Sequence, residues 1–272
     1  MATPPAPADL LSRIAEDRRR RVEQAKLREP AYALRDRLGP AKPLGRLERA
    51  LRRGAASGTL RLLCEIKRAS PSKGVLRADL DPVEFARLYE RGGAAAISIV
   101  TEPDHFGGDA AWVNAVRAVV ALPLLVKDFV VDSYQLLDAA ARGADGVLLL
   151  AALLSDVQLQ RLISEARLLG LDCLVEIHEA AELQRSLRAG ATLVGINNRD
   201  LRTFEVDLST SERLIPLVPP MVTAVAESGL ALPKDLARLR ATRCDAALIG
   251  EAFMTSSDPA GTLAALAAAA RG

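Results

Sequence analysis

Residues 124–150 read LLVKDFVVDSYQLLDAAARGADGVLLL, and this stretch contains the unit that decides the fold. The apolar run Leu124–Asp128 predicts a buried strand, Ser133 opens a helix-like stretch, and Gly143 marks its end. A second apolar run, Gly146–Leu150, follows at once. Two buried strands joined by a helix predict a parallel pair, because parallel neighbours need a crossover connection.

The same unit recurs along most of the chain. Eight strands are predicted, at Leu62–Lys67, Ala95–Val100, Leu124–Asp128, Gly146–Leu150, Cys173–Ile177, Leu193–Asn197, Val222–Glu227 and Ala246–Ile249. Eight strand–helix units in about 210 residues favour an α/β fold with one closed (β/α)8 TIM barrel. A doubly wound sheet would carry a glycine-rich turn after its first strand, where Glu65–Ser70 stands instead.

The residues before the barrel predict a helical extension. We assign residues 1–45 to this extension and residues 46–272 to the barrel, within a single domain overall. A helix following Asp9 would place Leu10, Leu11, Ile14 and Val22 on one stripe. Two interpretations stay open: a helix packed on the outside of the barrel, or a cover over one mouth.

Composition excludes several classes of protein. Half of the 272 residues are hydrophobic and 26% are charged, so the chain can build a sizeable core. The 36 Lys and Arg against 34 Asp and Glu leave a net charge of only +2, and aromatic residues make up 3%, which argues against a nucleic-acid partner. The run Arg18–Arg21 is interpreted as a solvated helix face.

Localisation follows from what the sequence lacks. No apolar run approaches the ~20 residues of a bilayer span, and the first residues lack the apolar core of a signal peptide. Cys64, Cys173 and Cys244 have no spacing typical of disulfide frameworks or zinc sites, so we expect free thiols. We therefore expect a cytoplasmic protein without a membrane partner, and a monomer is compatible with the sequence.

The predicted strands end in charged and amide side chains. Barrel enzymes place their chemistry at this end. The strand-end residues are Glu65, Lys67, Lys127, Glu176, Asn197 and Glu227, with Arg199 just beyond Asn197. Any one of them could be a structural ion pair. Lysines and carboxylates gathered at one end instead indicate acid–base catalysis, because neighbouring charges shift their pKa values toward proton transfer.

Two glycine turns predict a phosphate site. Ser228-Gly229 and Gly250-Glu251 follow the last two strands, where barrels of this class bind phosphate through backbone N–H groups. Ser70–Gly74, after the first strand, adds hydroxyl donors and a lysine. Glu176 and His178 share a strand face but lack a third ligand, so no metal is expected.

At these residues the chain closely resembles the indole-3-glycerol phosphate synthase family, whose members close an indole ring with decarboxylation in tryptophan biosynthesis. The matching segments are residues 64–74 (CEIKRASPSKG), 125–129 (LVKDF), 174–178 (LVEIH), 194–201 (VGINNRDL), 203–208 (TFEVDL), 226–229 (AESG) and 248–251 (LIGE). One departure is Ala252-Phe253, where the family commonly has Ser-Leu.

The resemblance implies a lyase that converts 1-(2-carboxyphenylamino)-1-deoxyribulose 5-phosphate to indole-3-glycerol phosphate, without a cofactor. It implies that Lys127 is the general acid, Glu176 the base in dehydration, and Lys67 the partner of the substrate carboxylate. Glu65 and Asn197 would hold these groups. The remaining implied contacts are Arg199 and Ser228 to the substrate, Phe106, Phe129, Leu148 and Leu248 to its ring, and Ser70, Gly229, Gly250 and Glu251 to its phosphate.

Two other functions remain open at this point. A related phosphate-binding barrel, such as phosphoribosylanthranilate isomerase, would share the two glycine turns but would not need Lys67, Lys127 and Glu176 together. A non-catalytic barrel acting as an assembly subunit would be expected to lack at least one of these residues.

Overall fold

The computed structural model describes residues 7–40, 42–54, 58–200 and 203–272. Eight parallel strands form a closed barrel, in which each strand pairs with the next along the chain and the last pairs with the first. They are β1 (Arg61–Ile66), β2 (Ala96–Val100), β3 (Leu124–Lys127), β4 (Gly146–Leu150), β5 (Asp172–Ile177), β6 (Leu193–Asn197), β7 (Thr223–Glu227) and β8 (Ala246–Ile249). The predicted (β/α)8 barrel is confirmed, and every predicted strand end lies within one residue of the observed one.

Helices connect the strands and cover the barrel. They are α1 (Pro7–Arg28), α2 (Ala31–Asp36), α3 (Arg46–Leu51), α4 (Pro82–Arg91), α5 (Pro103–Phe106), α6 (Ala111–Arg117), α7 (Ser133–Ala141), α8 (Asp156–Leu168), α9 (Ala180–Arg188), α10 (Ser209–Leu214), α11 (Pro233–Arg240), α12 (Glu251–Met254) and α13 (Pro259–Arg271), with a 3-10 turn at Ile215–Leu217. A short hairpin, Ala69–Ser70 with Gly74–Val75, follows β1. Capping side chains start several helices: Asp81 accepts the N–H of Val83 at 2.8 Å.

The interior of the barrel is polar at one end and apolar at the other. At the amino ends of the strands, Leu47 and Leu51 of α3 pack among inward-facing residues such as Leu63 and Leu174. The carboxylate of Asp172 accepts the backbone N–H groups of Gly45, Leu47 and Glu48 at 2.8 to 3.0 Å and so fixes the start of α3. The helix α3 thus closes the amino end, and the carboxyl end is left to carry the polar site.

The extension packs in two ways along α1. Leu10, Leu11 and Ile14, on its first half, line the cavity at the carboxyl end of the barrel. Val22, on its second half, packs with Tyr134 and other apolar residues outside the barrel. The two interpretations left open by the sequence therefore each describe one half of the helix. Its first turn begins at Pro7, two residues before Asp9.

Ion pairs fix α1 over the loops after β2 and β3. Arg18 binds Asp128 at 2.8 Å, and only 14% of the Arg18 side chain is exposed. Arg21 binds Asp104, and Lys26 binds Asp132 at 2.8 Å. The interpretation of Arg18–Arg21 as a solvated face is thus wrong for Arg18, which the carboxylate of Asp128 holds against the barrel, whereas Arg19, Arg20 and Arg21 are exposed.

Two further expectations from the sequence were free cysteine thiols and the absence of a membrane-spanning segment. Cys64, Cys173 and Cys244 are free cysteines. None of the helices in the described ranges combines the length and apolar character that a bilayer crossing requires.

Candidate active site

One cavity opens at the carboxyl end of the barrel, beneath the first half of α1. The fifteen residues to which the sequence assigned a role in the site all line it: Glu65, Lys67, Ser70, Phe106, Lys127, Phe129, Leu148, Glu176, Asn197, Arg199, Ser228, Gly229, Leu248, Gly250 and Glu251. Their placement in one cavity follows from the parallel sheet, because the carboxyl ends of all strands meet on one side.

Lys127 lies at the centre of the charged wall. Its ammonium group donates to Oε2 of Glu176 and to Oε2 of Glu227, both at 3.1 Å. Oε1 of Glu176 accepts the amide of Asn197 at 2.9 Å. Lys67 and Glu65 form a second pair, with Nζ and Oε1 2.7 Å apart.

The sequence placed Glu227 among the charged strand ends, at the end of β7, but assigned it no role in the site. The available signal was strand alternation, since Val225 and Glu227 share the inward face. Gly195 on β6 leaves room for the Glu227 side chain, because a Cβ atom at position 195 would overlap Oε1 of Glu227. Gly250 makes room in the same way, because its Cβ would lie 2.6 Å from Oε1 of Glu65.

The electrostatics of the cluster follow from burial and from neighbouring charge. Burial alone would lower the pKa of Lys127, but the carboxylates of Glu176, Glu227 and Glu65 outweigh it and raise that pKa above its ordinary value. Burial would raise the pKa of Glu176, but Lys127 and His178 hold it below its ordinary value. Burial, reinforced by the charge of Glu176, raises the pKa of Glu227 despite Lys127. The two carboxylates that share Lys127 therefore differ in proton affinity.

A second part of the cavity, next to the charged cluster, offers donors for an anion. Ser228 and Gly229 both have left-handed backbone conformations, with φ of 66° and 75°. Gly250 and Glu251 line the cavity at the start of α12, and no side chain caps this helix, so its first N–H groups are left for a ligand or solvent. The hydroxyl of Ser70 is buried and has no hydrogen-bond partner within the described residues. The side chain of Glu251 lies 3.6 Å from Lys73 and 3.7 Å from Arg199, so only its backbone suits an anion.

Gly229 is needed for its conformation rather than for open space toward the anion. A Cβ atom there would overlap Cγ1 of Val206 in the loop after β6. Together with the positive φ, this contact explains glycine at position 229.

The third wall of the cavity is apolar. The ring centroids of Phe106 and Phe129 are 5.9 Å apart. Leu148 of β4 and Leu248 of β8 also line the cavity. Glu102 caps α5 by accepting three backbone N–H groups, including that of Phe106 at 3.0 Å, and so fixes the position of that ring.

Arg199 lies at the rim between the charged and anion-binding walls. Its backbone N–H donates to Oδ1 of Asn197 at 2.9 Å, and its guanidinium donates to the carbonyl of Phe204 at 3.1 Å. In the described part of the chain, no cluster of three or more His, Cys, Asp and Glu side chains is arranged to hold a metal ion.

Comparison with known proteins agrees with this geometry. The family model described as indole-3-glycerol phosphate synthase matches residues 11–266. The indole-3-glycerol phosphate synthase of Carboxydothermus hydrogenoformans is 44% identical over 263 residues, covering 95% of this chain and 99% of that protein. That of Azospirillum brasilense is 43% identical over 261 residues, covering 96% and 100%.

A solved structure shares the fold alone. The crystal structure of 3-hexulose-6-phosphate synthase from Salmonella typhimurium superimposes with a TM-score of 0.62 at 16% identity, covering 77% of this chain and 98% of that one. The nearly full-length identity above 40%, together with the family match, is specific. This chain belongs to the indole-3-glycerol phosphate synthase family.

Proposed function

We propose that this protein is a carboxy-lyase that converts 1-(2-carboxyphenylamino)-1-deoxyribulose 5-phosphate to indole-3-glycerol phosphate, carbon dioxide and water. The observation that carries the proposal is Lys127, shared by Glu176 and Glu227 in a cavity with one apolar wall and one anion-binding wall. This arrangement suits a substrate that has an aryl ring at one end, a phosphate at the other and a carbonyl group between them.

Binding would use the two outer walls. The phosphate would accept hydrogen bonds from Ser70 and from backbone N–H groups at Gly229, Gly250 and Glu251, with Ser228 and Arg199 beside it. The aryl ring would lie among Phe106, Phe129, Leu148 and Leu248, below the leucines of α1. Binding at both ends would hold the ring carbon near the carbonyl carbon that it attacks.

Ring closure would use the lysines. Lys127 stays protonated at neutral pH despite its burial, because the neighbouring carboxylates raise its pKa. It can therefore donate to the substrate carbonyl oxygen as the ring carbon bonds to the carbonyl carbon. Lys67, held by Glu65, would lie beside the substrate carboxylate. Carbon dioxide then leaves, and its bonding electrons restore the aromatic ring.

Dehydration would use Glu176. Its pKa is depressed, so it is ionised and can take a proton from the carbon next to the new hydroxyl group. That proton and the one given by Lys127 leave with the oxygen as water, and Lys127 regains its proton from solvent. Asn197, bonded to Glu176, would orient this carboxylate and the developing hydroxyl. These steps use only protein side chains, so the proposed mechanism includes no cofactor.

Three further assignments belong to this proposal. We assign the protein to the cytoplasm, as a biosynthetic enzyme, and propose a monomer, with which the sequence is compatible. Residues 1–45 would act as an extension that covers the site of the barrel formed by residues 46–272. The ammonium group of Lys42 donates to the carbonyls of Gly143 and Ala144, so the extension ends close to this residue.

The test is an activity assay with the purified protein. Given the carboxyphenylamino-deoxyribulose phosphate, the protein should produce indole fluorescence and a product with the mass of indole-3-glycerol phosphate. Phosphoribosylanthranilate is the second substrate to supply. Conversion of this compound alone would indicate the related isomerase, and no conversion of either would indicate a non-catalytic barrel.

A further inference from the structure

His178 lies directly after β5 and takes no part in the mechanism proposed above. Its Nε2 is 3.5 Å from Oε1 of Glu176, and its Nδ1 is 3.4 Å from Oε2 of Glu182 on α9. The side chain is 17% exposed, and neither ring nitrogen is aligned for a hydrogen bond with any described residue. The imidazole is therefore enclosed between two carboxylates at ion-pair distance.

Glu182 is itself held in place. Its Oε2 accepts the backbone N–H of His178 at 2.6 Å, because α9 begins just after the strand and turns Glu182 back toward it. The charged groups around the imidazole are Glu176 from β5, Glu182 from α9 and Glu227 from β7, with Lys127 from β3 beyond Glu176. Burial alone would lower the pKa of His178, but Glu182 and Glu176 outweigh it and raise that pKa above its ordinary value.

A second cation beside Glu176 matters because Lys127 serves two carboxylates. When Lys127 gives its proton to the substrate, Glu176 loses this positive partner. A buried carboxylate without a partner is costly and takes up a proton. A base that is already protonated cannot carry out the dehydration.

We propose that His178 is a positioning residue, which as an imidazolium between Glu182 and Glu176 keeps Glu176 ionised and oriented throughout the reaction. This inference rests on the proposed role of Glu176. It predicts that turnover depends on the protonation of His178, so that kcat falls as the pH rises through the pKa of this imidazole.

The experiment measures kcat and KM against pH for the wild type and for three variants. In His178→Gln, kcat should fall about tenfold at neutral pH with KM within about twofold, and the alkaline decline due to His178 should vanish. In Glu182→Gln, the same decline should move to lower pH, because loss of the carboxylate lowers the pKa of His178. His105→Gln, which changes the only other histidine, should keep the decline in place.

The outcomes separate the two proposals. A wild type that makes no indole-3-glycerol phosphate refutes the proposed function. An active wild type whose pH profile is unchanged in His178→Gln refutes the role of His178 alone. If His178→Gln does not fold, Glu182→Gln decides, because a profile identical to the wild type would overturn the inference.

Discussion

A single methyl group added at Gly195 tests whether the position of Glu227 controls the reaction. In Gly195→Ala, the new Cβ would occupy the place of Oε1 of Glu227 and lie 3.3 Å from Leu174. The carboxylate must then rotate away from β6. Its other oxygen is 3.1 Å from Lys127, so this rotation breaks one of the two contacts that hold the lysine.

The magnitude follows from what is lost. Breaking a buried ion pair costs up to about 5 kcal/mol when the charge stays buried, but the displaced Glu227 can turn into the open cavity. We therefore expect a loss of stability of about 1–3 kcal/mol, typical of overpacking in a core. Lys127 would keep only Glu176 as an anchor, and displacement of a catalytic group by ~1 Å can lower kcat/KM about 100-fold.

The assay compares kcat/KM and thermal midpoint in matched variants. Gly146→Ala is the control, because its Cβ would meet Leu47 and the Asp172 carbonyl at the opposite end of the barrel. It should lower the midpoint and leave kcat/KM within about twofold. Glu227→Ala removes the obstructed side chain, so adding Gly195→Ala to it should change kcat/KM little further. A folded Gly195→Ala protein with wild-type kcat/KM, or an additive loss in the double variant, would refute the reasoning.

Three other changes test separate parts of the site. Lys127→Ala should lower kcat/KM about 1,000-fold, while the substrate affinity measured by calorimetry should be largely kept. Lys127→Arg should restore little activity, because guanidinium is a poor proton donor. Near-wild-type turnover of Lys127→Ala would exclude Lys127 as the acid. A chain beginning at Lys42 should fold, and its KM should rise several-fold because the leucines of α1 no longer line the cavity. An unchanged KM with a lower thermal midpoint would mean that the extension only packs against the barrel. Gly229→Ala should cost about 1–3 kcal/mol of stability, because the residue has a positive φ and the new Cβ would overlap Val206. It should raise KM more than it lowers kcat. An unchanged KM would mean that this turn does not bind the phosphate.

The barrel could be predicted from the sequence because each of its strands is marked by a local run of apolar residues. Runs such as Gly146–Leu150 are apolar throughout, and capping residues and glycines mark the helices between them. Helix α3 was not predicted as the closure of the amino end, since its role depends on Asp172, which lies more than a hundred residues away. Arg18 was misread for the same reason: its partner Asp128 is distant in sequence, and a run of arginines gives no sign of it.

The candidate site could be predicted only as far as strand ends reveal it. Lys127 and Glu176 stand at the ends of their strands, and parallel pairing alone brings such residues together. Glu227 occupies the same kind of position, but the sequence could not show that it shares Lys127 with Glu176. Which carboxylate shares a lysine depends on Gly195 leaving room for it, and no pattern in one sequence carries that information.

The buried charges at the carboxyl end do not cancel. Three cations, Lys67, Lys127 and the His178 imidazolium, face four carboxylates, Glu65, Glu176, Glu182 and Glu227, and the proposed substrate would add a carboxylate and a phosphate. Such a site would repel its ligand unless a proton were taken up when the ligand binds. Burial and the charge of Glu176 raise the pKa of Glu227, so this proton belongs on Glu227. Glu176 is then left ionised beside Lys127, and one acid and one base arise from two chemically identical side chains because their surroundings differ.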